Sequence, residues 1–297
     1  MTLEQLRIFV AVAERQHVTQ AARELNLTQS AVSSAVAALE ARHGVTLFDR
    51  VGRNVVLNPA GQVFLSEAQA VLARVEAAET ALANLGDLSK GRLTIQASQT
   101  IASYWLPTRL AAFRRAWPGI MLEVTIGNTR QVADAVAEGL AELGFVEGEI
   151  ESSVLEVSII DHDQPVVLVA PNHPWARTPP SLTQLAASDW IAREPGSGTR
   201  AAFDDLLRRA GLGPADITIA MTLPDNEPTR GAIEAGMGAG VLSRSVAAAS
   251  LAAGTLVEVP VDMPARAYRA LRHRERYRDK AGEAFLDLAR SFDKVDH

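Results

Sequence analysis

Two groups of residues in this 297-residue chain have types and spacings suited to chemistry. The first is the run Thr19-Gln-Ala-Ala-Arg-Glu-Leu-Asn-Leu-Thr-Gln-Ser-Ala-Val-Ser-Ser-Ala-Val-Ala-Ala-Leu-Glu40. It has the pattern of two short helices. Ala21 and Ala22 are small enough for a close crossing, and Leu25, Leu27, Val32, Val36 and Leu39 form the apolar face between them. Asn26 tolerates the left-handed backbone of a tight turn, and Thr28 is placed to cap the second helix. The opposite face of that helix carries Gln29, Ser30, Ser33, Ser34 and Ala37, short side chains able to approach base edges in a DNA major groove. An ordinary helical hairpin would share the apolar pattern.

The second group comprises Ser98-Gln-Thr-Ile-Ala102, Gly127-Asn-Thr-Arg-Gln131 and Arg193-Glu-Pro-Gly-Ser-Gly-Thr-Arg200. Each lies where a strand should give way to a helix. Ligands of open α/β sheets bind beyond the carboxyl ends of the strands, where helix N–H groups point outward. Hydroxyls of Ser98, Thr100, Thr129, Ser197 and Thr199 can donate to an anion there, with Gln99 and Asn128 beside them. Gly196 and Gly198 let backbone amides come close. Arg200 adds positive charge or pairs with Glu194. Taken singly, Ser98 and Thr100 are helix caps and Gly196–Gly198 is a turn. Taken together, the three segments predict a small anion: a carboxylate, a sulfur oxyanion or a phosphorylated metabolite.

Other chemistry finds little support. Cysteine is absent, which removes disulfides and thiolate metal sites. Gly196-Ser-Gly198 lacks the frame of a nucleophile elbow, and Gly198-Thr-Arg200 lacks the lysine of a phosphate-binding loop. The six histidines (17, 43, 162, 173, 273 and 297) have no zinc-ligand spacing. Neither an enzyme, a cofactor nor a metal site is expected. No apolar run reaches the ~18 residues of a membrane span. Glu4, Arg7 and Glu14 interrupt any signal-peptide pattern, so a cytoplasmic protein with no membrane partner is expected. The net charge is −6, unevenly spread: residues 1–60 hold six arginines against five acidic residues, the remainder 23 basic against 30 acidic. A weakly charged head on an acidic body binds DNA only through a few well-placed arginines.

The positioning elements follow from periodicity. Leu3, Leu6, Phe9, Val10 and Ala13 predict a first amphipathic helix. Thr46–Phe48 and Asn54–Leu57 predict a small β wing around the turn Arg50-Val-Gly-Arg53, with Arg50 and Arg53 at DNA phosphates, or else a merely solvated hairpin. Asn58-Pro59 opens a long helix. Along it Phe64, Ala68, Val71, Val75, Ala78, Leu82 and Leu85 make a heptad seam. Such a stripe packs on its own domain or on a second chain, and a homodimer is the favoured reading. Gly86 ends the helix. From Gly91 strands and helices alternate, with strands at 93–97, 121–126, 143–146, 165–170, 190–191, 217–221, 240–242 and 256–259 and helices near 100–116, 131–138, 201–210, 228–236 and 280–292. Two doubly wound lobes facing a cleft are predicted, with the last helix returning to the first lobe.

The whole chain resembles the LysR-type transcriptional regulators. The resemblance rests on Leu3-Glu-Gln-Leu-Arg-Ile-Phe-Val-Ala-Val-Ala13, Ala21-Ala22, Leu27-Thr-Gln-Ser-Ala-Val-Ser34, Leu39-Glu40, Leu47-Phe-Asp-Arg50 and Leu57-Asn-Pro-Ala-Gly61. It implies a multidomain fold: an all-α winged helix-turn-helix with a long linker helix, then an α/β effector domain of two lobes, similar to periplasmic binding proteins. The expected divisions are 1–58, 59–90 and 91–297, with lobe I at about 91–162 and 267–297 and lobe II at about 163–266. The expected DNA contacts are Thr28, Gln29, Ser30, Ser33, Ser34, Arg50 and Arg53. The expected effector contacts are Ser98, Gln99, Thr100, Asn128, Thr129, Glu194, Gly196, Ser197, Gly198, Thr199 and Arg200. The implied partners are double-stranded DNA with a pseudo-palindromic operator, a second copy through the linker helix, a homotetramer of such dimers, and RNA polymerase. Val51-Gly52 separates the wing arginines, where the family often has a further basic or aromatic residue. The segment Glu194–Arg200 is similar to that of the branch containing regulators of carbon fixation and of sulfur assimilation.

Overall fold

A computed structural model of the chain describes residues 1–51, 54–83 and 91–291. It forms two compact units, Met1–Ala83 and Asn84–His297. In the first, α1 (Leu3–Arg15), α2 (Val18–Glu24) and α3 (Gln29–His43) precede the antiparallel hairpin of β1 (Phe48–Val51) and β2 (Asn54–Leu57) and the 25-residue α4 (Pro59–Ala83). Asn26 takes the left-handed conformation, φ 55°, and Leu27 N donates back to Ala22 O at 2.8 Å, closing the turn between α2 and α3. Thr28 Oγ1 accepts from Ala31 N at 3.2 Å and caps α3.

Helix α1 is buried on two sides. Ile8, Ala11 and Val12 pack on Ala21, Ala22 and Val32, while Leu6 and Phe9 pack on Leu39, Leu47 and Ala68. The single stripe expected from the sequence is therefore too narrow, and its first member, Leu3, is exposed. The Glu40 carboxylate accepts from Leu47 N at 2.7 Å and Phe48 N at 3.4 Å, tying α3 to the wing. Asn58 caps α4 by accepting from Gly61 N at 2.8 Å. A Cβ on Gly61 would lie 2.1 Å from Leu47 O, so only glycine lets α4 start against the wing. β1 begins at Phe48 rather than Thr46, which puts Arg50 within the strand, opposite Val55, instead of in the turn. Arg53 lies outside the described residues.

The heptad seam divides. Phe64 and Ala68 belong to the core of their own unit: the Phe64 ring is 4.8 Å from that of Phe9, and Ala68 is fully covered. Val71 remains 40% exposed, Val75 is half-buried and Ala78 exposed. The side chain of Leu82, and Leu85 and Gly86 altogether, lie outside what is described.

The second unit holds two five-stranded sheets. Lobe I is ordered β4-β3-β5-β12-β6, from β3 (Gly91–Ser98), β4 (Ile120–Gly127), β5 (Leu143–Glu147), β6 (Leu155–Asp163) and β12 (Arg266–His273). Lobe II is ordered β11-β7-β10-β8-β9, from β7 (Pro165–Val169), β8 (Asp189–Arg193), β9 (Thr218–Leu223), β10 (Ala239–Ser243) and β11 (Val257–Val259). The helices are α5 (Leu106–Ala116), α6 (Thr129–Glu138), α7 (Gly198–Arg209), α8 (Asn226–Glu234), α9 (Arg244–Ala253) and α10 (Lys280–Ser291). A π-helical turn, Ile101–Trp105, leads into α5. β3, β4 and β5 run parallel, as do β8, β9 and β10, so their carboxyl ends share one edge in each lobe. Helix α10 covers lobe I through Ala281, Phe285, Leu286 and Ala289.

The sequence reading omits β6, β12 and α9. β12 reads Arg-Ala-Tyr-Arg-Ala-Leu-Arg-His, yet Tyr268, Ala270 and Leu271 are buried while Arg266, Arg269 and Arg272 meet acidic partners. Paired arginines hide a core strand from a hydropathy pattern.

Lobe I also buries a carboxyl group. Glu142 N donates to Thr94 Oγ1, and Thr94 N donates to Glu142 Oε2, each at 3.1 Å. Burial pushes the Glu142 carboxyl up to about 7, outweighing the Thr94 bonds, and Asp279 adds to the rise. The folded chain therefore holds this proton more tightly than the unfolded one. The stability it contributes is complete below about pH 4.5 and is lost as pH rises to about 7, a change on the order of 3 kcal/mol. Glu142→Gln keeps the acceptor for Thr94 N and removes the titration. In a thermal-denaturation series, its stability advantage over the parent should widen between about pH 5 and pH 7 and then level off. A constant difference across that window would show that Glu142 titrates as an ordinary carboxyl.

Candidate DNA-reading helix and effector cleft

On α3, Val32 and Leu39 face inward, while Gln29, Ser30, Ser33, Ser34 and Ala37 are all exposed. The Thr28 and Ser30 hydroxyls bond to each other at 3.1 Å at the start of the helix. The exposed row is uncharged and short. It can offer donors and acceptors to base edges without holding the backbone away.

The cleft lies between the carboxyl edges of the two sheets. On one flank Gln99 Nε2 donates to Pro224 O at 3.0 Å and to Asp225 Oδ2 at 3.1 Å, and Asn226 N donates to Gln99 Oε1 at 3.0 Å. Asn226 Nδ2 donates to Thr100 Oγ1 at 3.0 Å, and the Tyr104 hydroxyl donates to Glu227 Oε1 at 2.7 Å. On the other flank Asn128 Nδ2 donates to Glu194 Oε1 at 3.3 Å, and Arg130 N to Gly196 O at 3.2 Å. A Cβ on Gly198 would sit 2.7 Å from Glu147 O, so this residue sets how closely α7 approaches β5. Between the flanks Arg193, its side chain 3% exposed, is bound by Glu194 and by Asn226 Oδ1. Ser98 closes β3 with its Oγ buried and without a hydrogen-bond partner.

The sequence grouped all its effector candidates around one anion. The structure separates them. Gln99, Thr100, Asn128 and Glu194 make the hydrogen bonds between the lobes, and Ser98 is buried at the end of β3. Thr129, Gly196, Ser197, Gly198 and Arg200 line a cavity of about 590 Å³ that takes its walls from both lobes, together with Arg130, Asp134, Glu149, Glu151 and Asp204. The Thr129 hydroxyl donates to Glu147 O at 3.3 Å, and Ser197 Oγ caps α7 by accepting from Thr199 N at 3.2 Å and Arg200 N at 3.5 Å. Thr199 Oγ1 accepts from Arg266 Nη1 at 3.4 Å. Arg200 pairs with Asp204 at 2.8 Å and donates to Arg193 O, so of its two expected roles the pairing with Glu194 falls to Arg193 instead. Thr100 has helical backbone angles and makes no cap bond; it meets Asn226 across the cleft instead.

Arg193 and Asn226 were absent from the sequence-predicted site. Arg193 precedes the glycine-rich segment directly, and its place at the end of β8 was the available signal. Asn226 begins α8 and carried none. Among the described residues no group of three His, Cys, Asp or Glu side chains is placed to hold a metal ion, and no helix is long and apolar enough to cross a membrane.

A winged helix-turn-helix in one unit and a two-lobed α/β cleft in the other define a ligand-responsive DNA-binding regulator. Residues 3–62 match the bacterial regulatory helix-turn-helix of the lysR family, and residues 86–293 match the LysR substrate binding domain. The chain belongs to the LysR family of transcriptional regulators, and its work is DNA-binding regulation rather than catalysis. It is 39% identical to an uncharacterized HTH-type transcriptional regulator, YeiE, of Escherichia coli, over 97% of this chain and 96% of that one. Among solved structures, CbnR, a LysR family transcriptional regulator, aligns at TM-score 0.71 and 22% identity over 98% of each chain. The CcmR regulatory domain of Synechocystis in complex with 2-PG aligns at TM-score 0.63 and 26% identity over 69% of this chain and 98% of that one.

Proposed function

We propose that this regulator reads a pseudo-palindromic operator as a homodimer and is governed by a small oxyanion held between the lobes of its effector domain. The observation that carries the oxyanion reading is the buried, unpartnered Ser98 Oγ beside Thr100. Because Thr100 Oγ1 already accepts from Asn226, its own hydrogen is available to a ligand oxygen. Arg193 supplies positive charge at the same place. A carboxylate, a sulfur oxyanion or a phosphorylated metabolite fits these donors, and the 2-PG bound by CcmR is in keeping with them. The Glu194–Arg200 segment is similar to that of regulators of carbon fixation and of sulfur assimilation, which supports an oxyanion of this kind. The same reading includes pairing of dimers into tetramers and contact with RNA polymerase.

Calorimetric titration with sulfate, sulfite, phosphate and 2-PG tests the cleft. Ser98→Ala and Thr100→Val should each weaken the bound anion about ten- to a hundredfold, the worth of one charge-assisted hydrogen bond. DNA affinity without the anion should stay unchanged. Full retention of anion affinity in both variants would place the ligand outside the cleft.

For DNA, the exposed first turns of α3 carry the reading role. Gln29→Ala and Ser33→Ala should each cost about 1–3 kcal/mol on a selected operator while leaving binding to random duplex nearly intact. Equal losses on both DNAs, measured by gel shift at fixed salt, would make these residues mere backbone contacts.

Pairing rests on the part of the α4 stripe left uncovered, beginning at Val71. Val71 is solvent-facing in the single chain, so Val71→Glu should leave its fold intact. Across a dimer seam the same change buries a carboxylate and should abolish dimers in sedimentation equilibrium. An unchanged dimer constant would put the interface elsewhere.

A further inference from the structure

The Arg193 guanidinium is a buried cation between the lobes, and four of its five N–H donors are already committed. Nε meets Glu194 Oε2 at 2.8 Å and Nη2 meets Glu194 Oε1 at 3.1 Å, a two-pronged carboxylate contact. Nη1 is held by Asn226 Oδ1, and Nη2 also approaches Pro224 O at 3.4 Å. A ligand oxyanion placed beside this arrangement would face the Glu194 charge at close range and find the guanidinium fork filled. The two demands are incompatible unless one partner leaves.

The partner able to leave is Glu194. Pro224 O is backbone. Asn226 is 3% exposed and anchored by its bonds to Thr100 and Gln99. Glu194 is one-fifth exposed and lies just past the end of β8, so its side chain can rotate toward solvent without disturbing the strand. Its Oε1 is also the acceptor for Asn128 Nδ2 of the other lobe.

We propose that Glu194 is a built-in competitor for the effector: its carboxylate fills the Arg193 fork in the empty cleft, and the incoming oxyanion displaces it. This rests on the reading of the cleft as an oxyanion site. A carboxylate, sulfate or phosphate ester group presents two oxygens on one side and takes over the same two bonds. The exchange leaves the guanidinium neutralised throughout, so no uncompensated buried charge arises. Glu194 thereby sets the effector concentration at which the cleft fills. Its departure also ends the Asn128–Glu194 link between the lobes, which gives the ligand different contacts in the two states, the condition for shifting a conformational equilibrium.

The test is calorimetric titration of the full chain with sulfate, sulfite, inorganic phosphate and 2-PG. Glu194→Gln keeps the shape and one acceptor oxygen but removes the competing charge and one of the two prongs, and Glu194→Ala removes the competitor altogether. Both should tighten the anion that binds the parent at least tenfold, whereas Glu194→Asp, which keeps the charge, should stay nearer the parent. If either folded neutral variant binds that anion more weakly, or equally, the exchange is overturned. Thr100→Val separates this failure from a failure of the cleft itself. Weakening by Thr100→Val without tightening by Glu194→Gln leaves the cleft reading standing and the exchange refuted. Binding that neither variant alters refutes both, and so does the absence of binding by all four anions to the parent and to Glu194→Gln.

Discussion

Because the chain passes between the lobes twice, once at Gln164 and again after Val259, the placing of the two sheets depends on what holds the crossings together. That is the Arg266–Asp163 ion pair, with Nη2 2.6 Å and Nε 2.8 Å from Oδ2. Asp163 ends β6 and Arg266 begins β12, so the pair sits where both strands leave lobe I. Ser243 Oγ, at the end of β10, donates to Asp163 Oδ1 at 2.5 Å, and Glu147 lies 3.8 Å from Arg266. All these side chains are at least nine-tenths buried. Charges so deeply placed are costly when separated, since removing one partner leaves the other unpaired at a cost of about 3–5 kcal/mol. The Arg266 contact with Thr199 extends the same network into the first turn of α7. The loops that face the cleft inherit their positions from this junction.

Around that fixed junction the interlobe bonds are of a different kind. Gln99 with Asp225, Tyr104 with Glu227, and Asn128 with Glu194 join side chains that are half-buried or exposed, and each can trade its partner for water at little net cost. The cleft is therefore firm at its base and exchangeable at its rim. Ser98, buried at the end of β3, stands apart because its hydroxyl has no hydrogen-bond partner. The π-helical turn at Ile101–Trp105 follows within three residues, a departure from regular helix that is frequent at functional sites.

Legibility in the sequence followed from how local each signal was. The turn at Asn26, the cap at Thr28 and the Asn58-Pro59 start depend on neighbouring residues, and the structure has all three. The parallel strands around both lobe edges are short runs of apolar residues, several alternating with polar ones, and were equally local. What failed depended on distant partners. β12 was hidden because its arginines are balanced by Glu147, Asp163 and Glu156, from strands more than a hundred residues earlier. Phe64 and Ala68 fit a heptad and yet pack on α1, since spacing along one helix does not say which surface covers it. The effector segments were found as segments, but a strand-to-helix junction has two sides. Thr129, Ser197 and Arg200 turned to the cavity walled by both lobes, while Arg193 and Asn226 met inside the cleft.

The charge distribution links the two halves of the proposed mechanism. With six arginines against five acidic residues in its first sixty positions, one reading head gains little general attraction to a polyanion, and the acidic remainder works against approach. The exposed row on α3 contains no formal charge at all. Affinity must then come from base-edge contacts made at the correct register, and a single set of five short side chains supplies too few of them. Two heads at a fixed separation multiply the contacts and make binding steep in that separation. In such a molecule, an effector need not touch the head to control it. On the proposed reading, weak individual heads are what make the spacing of a pair decisive.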